Sequence, residues 1–412
     1  MKPSINNKLR RLFFVLTGLL FACQPLLAFE FYYRFQTGDM YRIISTVNQD
    51  ILVNRRLSFR AEIINRIAVE VLEADEQGAR LKATFQTAEK TVPFLPGGFP
   101  AAAVNLFEWS IEYHSEFEQD RLGFMTVADH FFMPMVRDAP VFPARPLNVG
   151  DTWVARGEEV HDFRFNFGIE EPFRIPFNAH YTFVGEREWR GEMFPAFLIS
   201  HRILFQPEPV PGRVFPVRIQ SAVDQTVFWD PVRGQPVAQE SHFRTIIDLS
   251  DGQTWEYRGR AEAEVVEATP MDREEIAREI IAGIAEIPDV TVRISDEGIV
   301  ISLEDIQFAP DSAFLTQSEM AKLDIIAGIL MNYPDRDILV GGHTALAGTA
   351  ESRLQLSLER AAAVAEFLLD RNVRAPDRVL IRGFGAEYPI ADNATAEGMA
   401  RNRRVEITIL EN

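Results

Sequence analysis

The stretch DILVGGHTALAGTAESRLQLSLERAAAVAEFLLDR, residues 337–371, carries the decisive pattern of this chain. A short apolar run, DILV, meets paired glycines; a polar loop follows, and then a long segment with apolar residues at helical spacing. That is a strand, a loop and an amphipathic helix, and loops set between rigid elements are where ligand sites are built. In the helix, Leu354, Leu358, Ala361, Ala365 and Leu368 form the expected buried stripe. Arg353, Ser357 and Arg360 share the flank beside it, so two guanidiniums point the same way. The helix start near Gly348 to Glu351 adds free N–H groups and the positive end of the helix dipole, which together suit a carboxylate.

Working outward, this unit sits in a longer alternation. VTVRI and GIVISL read as a hairpin, SEMAKLDIIAGILMNY as a helix, RVLIRG and RRVEITIL as strands. The order is β-α-β-α-β-β, which predicts a two-layer α/β sandwich with helices over one sheet face, spanning residues 290–412. Before it, DREEIAREIIAGIAEI places Ile276, Ile280 and Ile284 at helical spacing with acids in the first turn, a helix within a linker of residues 269–289.

Residues 29–268 carry a period of two instead. In YRIISTVNQDILV, Tyr41, Ile43, Val47, Ile51 and Val53 fall on one face and Arg42, Thr46, Asn48 and Asp50 on the other. FRAEIINRIAVEV repeats the pattern, with Arg60, Glu62, Arg66 and Glu70 on its polar face. These are half-buried strands with the charges turned to solvent, and WDPVRGQPV and DLSDGQTWEY supply turns between others. The expectation is an all-β antiparallel domain, a sandwich or half-barrel, with the proline-rich stretches as loops or edges. A membrane β-barrel shares the same alternation, but the proline interruptions and scattered charges favour the first form. The run FRFNFGIEEPFRIPF, residues 163–177, reads as core packing in preference to an apolar ligand cup.

The first 28 residues combine Lys2, Lys8, Arg10 and Arg11 with an apolar run from Leu12 to Ala22, the make-up of an export signal. Arg10-Arg11 also fits a twin-arginine signal, though paired basic residues are ordinary in any such segment. Two cleavage points compete. One leaves Cys23 at the new terminus for lipidation; the other follows Ala28. Cys23 is the only cysteine, so no disulfide within the chain is available and core burial must stabilise the fold. A net charge of −18 argues against a nucleic-acid partner. The histidines show no metal-ligand spacing, neither a GxSxG elbow nor a P-loop occurs, and SDG and SDEG read as hairpin turns and not calcium loops. We therefore expect a binding protein without metal or cofactor, not an enzyme.

FAPDSAFLT, GGHT, LSLERAAAV, RGFGAEYPIADN and NRRVEI occur in an order and spacing that resemble the OmpA-like C-terminal domain of bacterial envelope proteins, over about residues 290–410. The resemblance implies non-covalent binding of peptidoglycan from the periplasmic side. It also implies a grip on the diamino acid of the stem peptide, by an aspartate directly after GHT and an arginine in the helix. Arg360 is that arginine; Ala345 stands at the aspartate position, and Arg353 where the family has asparagine. Thr344 and Asp311 complete the expected site, with Asp311 or Glu351 as a substitute acid. A charge-assisted hydrogen bond contributes about 1.5–3 kcal/mol, so losing the acid weakens the inherited mode about ten- to a hundredfold. The implied role is a tether between the wall and an outer-membrane or envelope partner of the β domain. The alternatives are a degenerate module used for protein contact and a β domain that carries a lipid.

Overall fold

The computed structural model describes residues 28–94, 106–208, 212–267, 271–304, 306 and 315–411. Residues 1–27 of the expected export segment, Cys23 among them, and Asp311 lie outside them.

Alternation becomes pairing through the first 267 residues. In space the strands run from Phe107–Asp120 through Gly78–Pro93, Arg56–Ala74, Met40–Val53, Thr254–Glu267, Gln235–Leu249, Pro216–Asp230, Glu192–Phe205 and Phe173–Trp189 to Thr152–His161. Each neighbouring pair is antiparallel. Two meanders are thus joined where Met40–Val53 meets Thr254–Glu267, a contact that closes more than 200 residues of intervening chain. Among the described residues the two end strands do not pair with each other, so the array is open. The turns fall where Asp-Pro and Ser-Asp-Gly stand, at Asp230–Gln235 and Leu249–Thr254.

One face of the second meander is filled by aromatics of its own strands and of the segments laid over it. Phe183, Phe197 and Trp229 are fully buried, with Phe31 set edge-on to Phe197 at 4.7 Å and Phe142 edge-on to Trp229 at 4.7 Å. Phe163, Phe173 and Phe177 of the Phe-rich run join this cluster, while Phe165 stands in solvent. Each buried ring contributes about 2–3 kcal/mol, so this packing is the main support of the face.

The C-terminal strands lie in the order Val290–Ile294, Gly298–Glu304, Arg404–Leu410, Ile338–Gly342, Val379–Gly383. Helices Gln317–Leu330 and Ala350–Asp370 bury Leu323, Ile326, Ala361 and Val364 against Ile301, Val340, Ile381 and Ile407. Helix Arg273–Gly283, capped by Asp272 accepting from Glu275 N, adds Ala277 and Ile280 to the same core. A seven-residue helix, Ala396–Asn402, which the sequence pattern did not predict, precedes the last strand.

Val379–Gly383 also pairs in parallel with the start of Phe107–Asp120, matching Leu380 to Phe107 and Ile381 to Glu108. Two short strands, Met125–Val127 and Val136–Arg137, pair with Phe107–Asp120 and Thr152–His161, and all seventeen strands among the described residues belong to one continuous sheet. Beside this junction Ile64, Phe107 and Trp109 pack with Leu339, Leu380 and Leu410. The contact corrects the sequence reading of the first two strands. Arg42 and Arg66, expected on a solvent face, are buried because the C-terminal half covers that face. Arg42 donates to the Glu411 carbonyl at 2.8 Å, and Arg66 to Asp337.

Candidate functional site

Strand Ile338–Gly342 ends on two glycines for a steric reason. A Cβ at Gly342 would run into the carbonyl of Ser357, so only glycine lets the helix Ala350–Asp370 lie this close to the strand end. The loop 343–349 leaves from there. His343 N–H donates to the Arg404 carbonyl at 2.9 Å and Thr344 N–H to the Gly385 carbonyl at 2.7 Å, fixing the loop between two neighbouring segments. Gly348 adopts φ +80°, a left-handed turn open to glycine, and Thr349 caps the helix by accepting from Ser352 N–H at 3.1 Å.

A second loop, residues 384–394, forms the opposite wall. The Asn402 side chain, fully buried, accepts from Ile390 N–H at 2.8 Å and Ala391 N–H at 3.0 Å and donates to the Ala391 carbonyl and to Asn393. Asn393 in turn accepts from Leu346 N–H at 3.1 Å, tying the two loops together. Asn402 and Arg403 were not singled out from sequence; the NRRVEI motif contains both without stating their roles.

Below the loops lies a charged floor. The His343 ring is buried and stacks on Phe384 at 4.7 Å. Burial pushes the imidazole below its ordinary pKa, and the nearby Arg404 adds to this against the pull of Glu406. Burial alone would raise Glu406, but His343 and Arg404 hold its carboxyl below the usual range. It accepts from Arg404 Nε at 2.7 Å and Arg293 Nη2 at 2.8 Å.

The expected site residues take distinct positions. Thr344 is buried, and its hydroxyl has no hydrogen-bond partner among the described residues. Ala345 is only 6% exposed, an apolar residue sealed into the loop. Arg353 is half-buried and donates through Nη1 to the Gly348 carbonyl at 2.5 Å. Arg360, two helical turns further on, is also half-buried, and burial together with Arg403 lowers its proton affinity. Asp311 lies outside the described residues. Ser357 is not on the guanidinium flank; it is fully buried, and its hydroxyl accepts from Gly385 N–H at 2.9 Å while donating to Leu354 O. Leu354, expected in the buried stripe, is 51% exposed, because the face toward the sheet centres on Ser357, Ala361 and Val364. Among the described residues no cluster of three or more histidine, cysteine, aspartate or glutamate side chains is placed to hold a metal.

Residues 307–403 match the sequence profile of the OmpA family. This stretch is an OmpA-family domain. No family profile matches the N-terminal half. The OmpA-family region is similar to "Probable lipoprotein YiaD" of Escherichia coli, 37% identical over 121 residues, which are 29% of this chain and 55% of that protein. It is also similar to "Peptidoglycan-binding protein ArfA" of Mycobacterium tuberculosis, 39% identical over 104 residues, 25% of this chain and 32% of that protein. The chain thus spans about half or less of the length of these relatives. Among solved structures, the cell wall anchor of the T6SS from Pseudomonas aeruginosa is 33% identical, with 34% of this chain and 99% of that one covered and a TM-score of 0.30.

Proposed function

We propose that this protein is an exported cell-envelope component that associates non-covalently with peptidoglycan through its OmpA-family domain and acts by binding, not by catalysis. The observation that carries this is the pair of guanidiniums, Arg353 and Arg360, along the helix that begins where the Thr344–Thr349 loop ends. A planar guanidinium suits a carboxylate of the stem peptide through paired hydrogen bonds, and Arg353 stands in the first turn of this helix. The relative named for peptidoglycan binding supports the same ligand class. In this proposal the chain divides into a β-rich domain at 29–268, a connecting helix within 269–289 and a two-layer α/β domain at 290–412. It works on the periplasmic side of the outer membrane, tethering the wall to the β domain or to a membrane or protein partner of it.

Co-sedimentation of the full chain with purified sacculi tests this. The wild type pellets with the wall and Arg360→Ala does so at least about tenfold more weakly, the loss of one charge-assisted contact. Equal sedimentation of the two overturns the site, and no sedimentation of the wild type overturns wall association. A second reading, contact with a protein through the same loops, is favoured by the sealed Ala345 and by the exposed Leu346, Leu354, Tyr388 and Ile390 around them. Retained sedimentation distinguishes the wall.

A further inference from the structure

We propose that the junction between the two halves holds a second ligand site, a cavity that takes an amphiphile with one anionic head group, a carboxylate or a phosphate monoester, against Arg42. The proposal does not depend on wall binding. The cavity has a volume of about 570 Å³, within the usual range for small-molecule sites. Arg42 and Ile44 of strand Met40–Val53, Ile64 and Arg66 of strand Arg56–Ala74, Ile276 of helix Arg273–Gly283 and the loop 332–337 all line it. Asp337 belongs to this lining and immediately precedes strand Ile338–Gly342, whereas the family loop starts at the far end of that strand, about 20 Å away at the rise of an extended chain. The two sites are separate.

Arg42 points to an anion. It is only 9% exposed, yet among the described residues its guanidinium makes one hydrogen bond, from Nη2 to the Glu411 carbonyl at 2.8 Å, and has no carboxylate within ion-pair distance. The acids nearest to it are engaged elsewhere: the Glu411 carboxylate pairs with Arg273, and Asp337 lies between Arg66 and Arg378. A charge taken out of water without a counter-charge is costly, and an anion in the cavity supplies what is missing. Burial and then the Arg336 guanidinium, which lines the same cavity, lower the proton affinity of Arg42 against the pull of Glu411 and Asp337. The other two acids of the lining, Asp335 and Asp377, are exposed, so water screens their repulsion of an anion. The apolar part of the lining sets the rest of the ligand. Ile44, Val266 and Ile276 are half-buried and Ile64 is buried, a surface that a bare ion leaves wet and a short alkyl stem covers. Exposed Asn332 and Pro334 mark where the cavity opens to solvent.

The test is calorimetric titration of the full chain with octanoate, octyl phosphate, octanamide and inorganic phosphate. Octanoate and octyl phosphate are expected to bind, and the tighter of the two identifies the head group. Octanamide, which keeps the stem and loses the charge, is expected to bind about tenfold more weakly or worse than octanoate. Arg42→Gln should weaken octanoate and octyl phosphate by the same factor, and Arg42→Lys, which keeps the charge, should recover part of the loss. Equal affinity for octanamide and octanoate overturns the proposal, because the charge is then not recognised. Unchanged binding in a folded Arg42→Gln chain places the ligand elsewhere and overturns it as well. Inorganic phosphate binding as tightly as octyl phosphate overturns the role of the apolar wall, and failure of every probe to bind leaves a water-filled cavity only. If Arg42→Gln does not fold, the comparison of octanoate with octanamide on the wild type decides.

Discussion

Arg66 donates through Nε to Asp337 at 2.8 Å, and both side chains are more than nine-tenths closed to solvent. The arginine belongs to the second strand of the β-rich half and the aspartate immediately precedes the strand that leads into the OmpA-family loop. Arg378 holds the other Asp337 oxygen at 2.6 Å. The orientation of the candidate site is therefore tied to a residue some 270 positions earlier.

Removing Arg66 leaves the buried Asp337 carboxylate with Arg378 as its remaining ion-pair partner. Arg66→Ala is expected to lower stability by about 1.5–3 kcal/mol, the loss of a charge-assisted contact, measured by urea unfolding of the full chain. Arg60→Ala is the contrast. Its partner Asp50 sits at 2.9 Å but Arg60 is largely exposed, so a change below about 1 kcal/mol is expected.

The apolar junction makes a second prediction. Phe107 is 1% exposed and packs with Leu339 and Leu380 beside the parallel strand pairing, so the two halves should melt together. Calorimetry is expected to show one transition for the wild type, and two for Phe107→Ala, with a loss of about 3–5 kcal/mol. Two transitions in the wild type would contradict this coupling.

Glu159 carries a pH dependence. Burial raises its pKa, but hydrogen bonds from His161 and His201, each 3.0 Å away, outweigh this and hold it at about 2 against an ordinary 4.5. A carboxyl that ionises more readily folded than unfolded stabilises the fold while ionised. That contribution is full above about pH 4.5 and fades as the pH falls toward 2. Glu159→Gln should lose about 3 kcal/mol at pH 7 relative to the wild type, with the gap narrowing steadily between pH 4.5 and pH 3. A gap independent of pH would show that the carboxylate's charge is immaterial.

Gly342 and Gly328 should respond oppositely to alanine. At Gly342 the new methyl meets the Ser357 carbonyl, forcing helix from strand; a loss of more than about 3 kcal/mol and of sacculus binding is expected. At Gly328, inside the helix Gln317–Leu330, the methyl meets open space, and a gain of up to about 1 kcal/mol in thermal or urea unfolding is expected.

Much of this was legible along the chain. Alternation in YRIISTVNQDILV gave a strand because a half-buried sheet imposes a period of two, and the apolar spacing after Thr349 gave a helix for the matching reason. The OmpA-family motifs located the loop, Thr344, Ala345 and Arg360 without any coordinates. The helix's inward face was misjudged because hydrophobicity ranks Leu354 above Ser357. In the folded chain a serine hydroxyl is needed where Gly385 offers a buried N–H, while the leucine lies outside the packed face. The helix Ala396–Asn402 was too short to show a period.

By itself, then, the order of residues determined the type of the longer periodic segments, where the family loop lies and that its acid position holds an alanine, since each of these depends on neighbours within a few residues. Only the tertiary structure decided that Val379–Gly383 would pair with Phe107–Asp120, that Arg42 and Arg66 would be buried, and that Asn402 would tie the two loops of the site. Those outcomes depend on which surfaces meet across hundreds of residues. A polar face looks alike in sequence whether water or another part of the protein covers it.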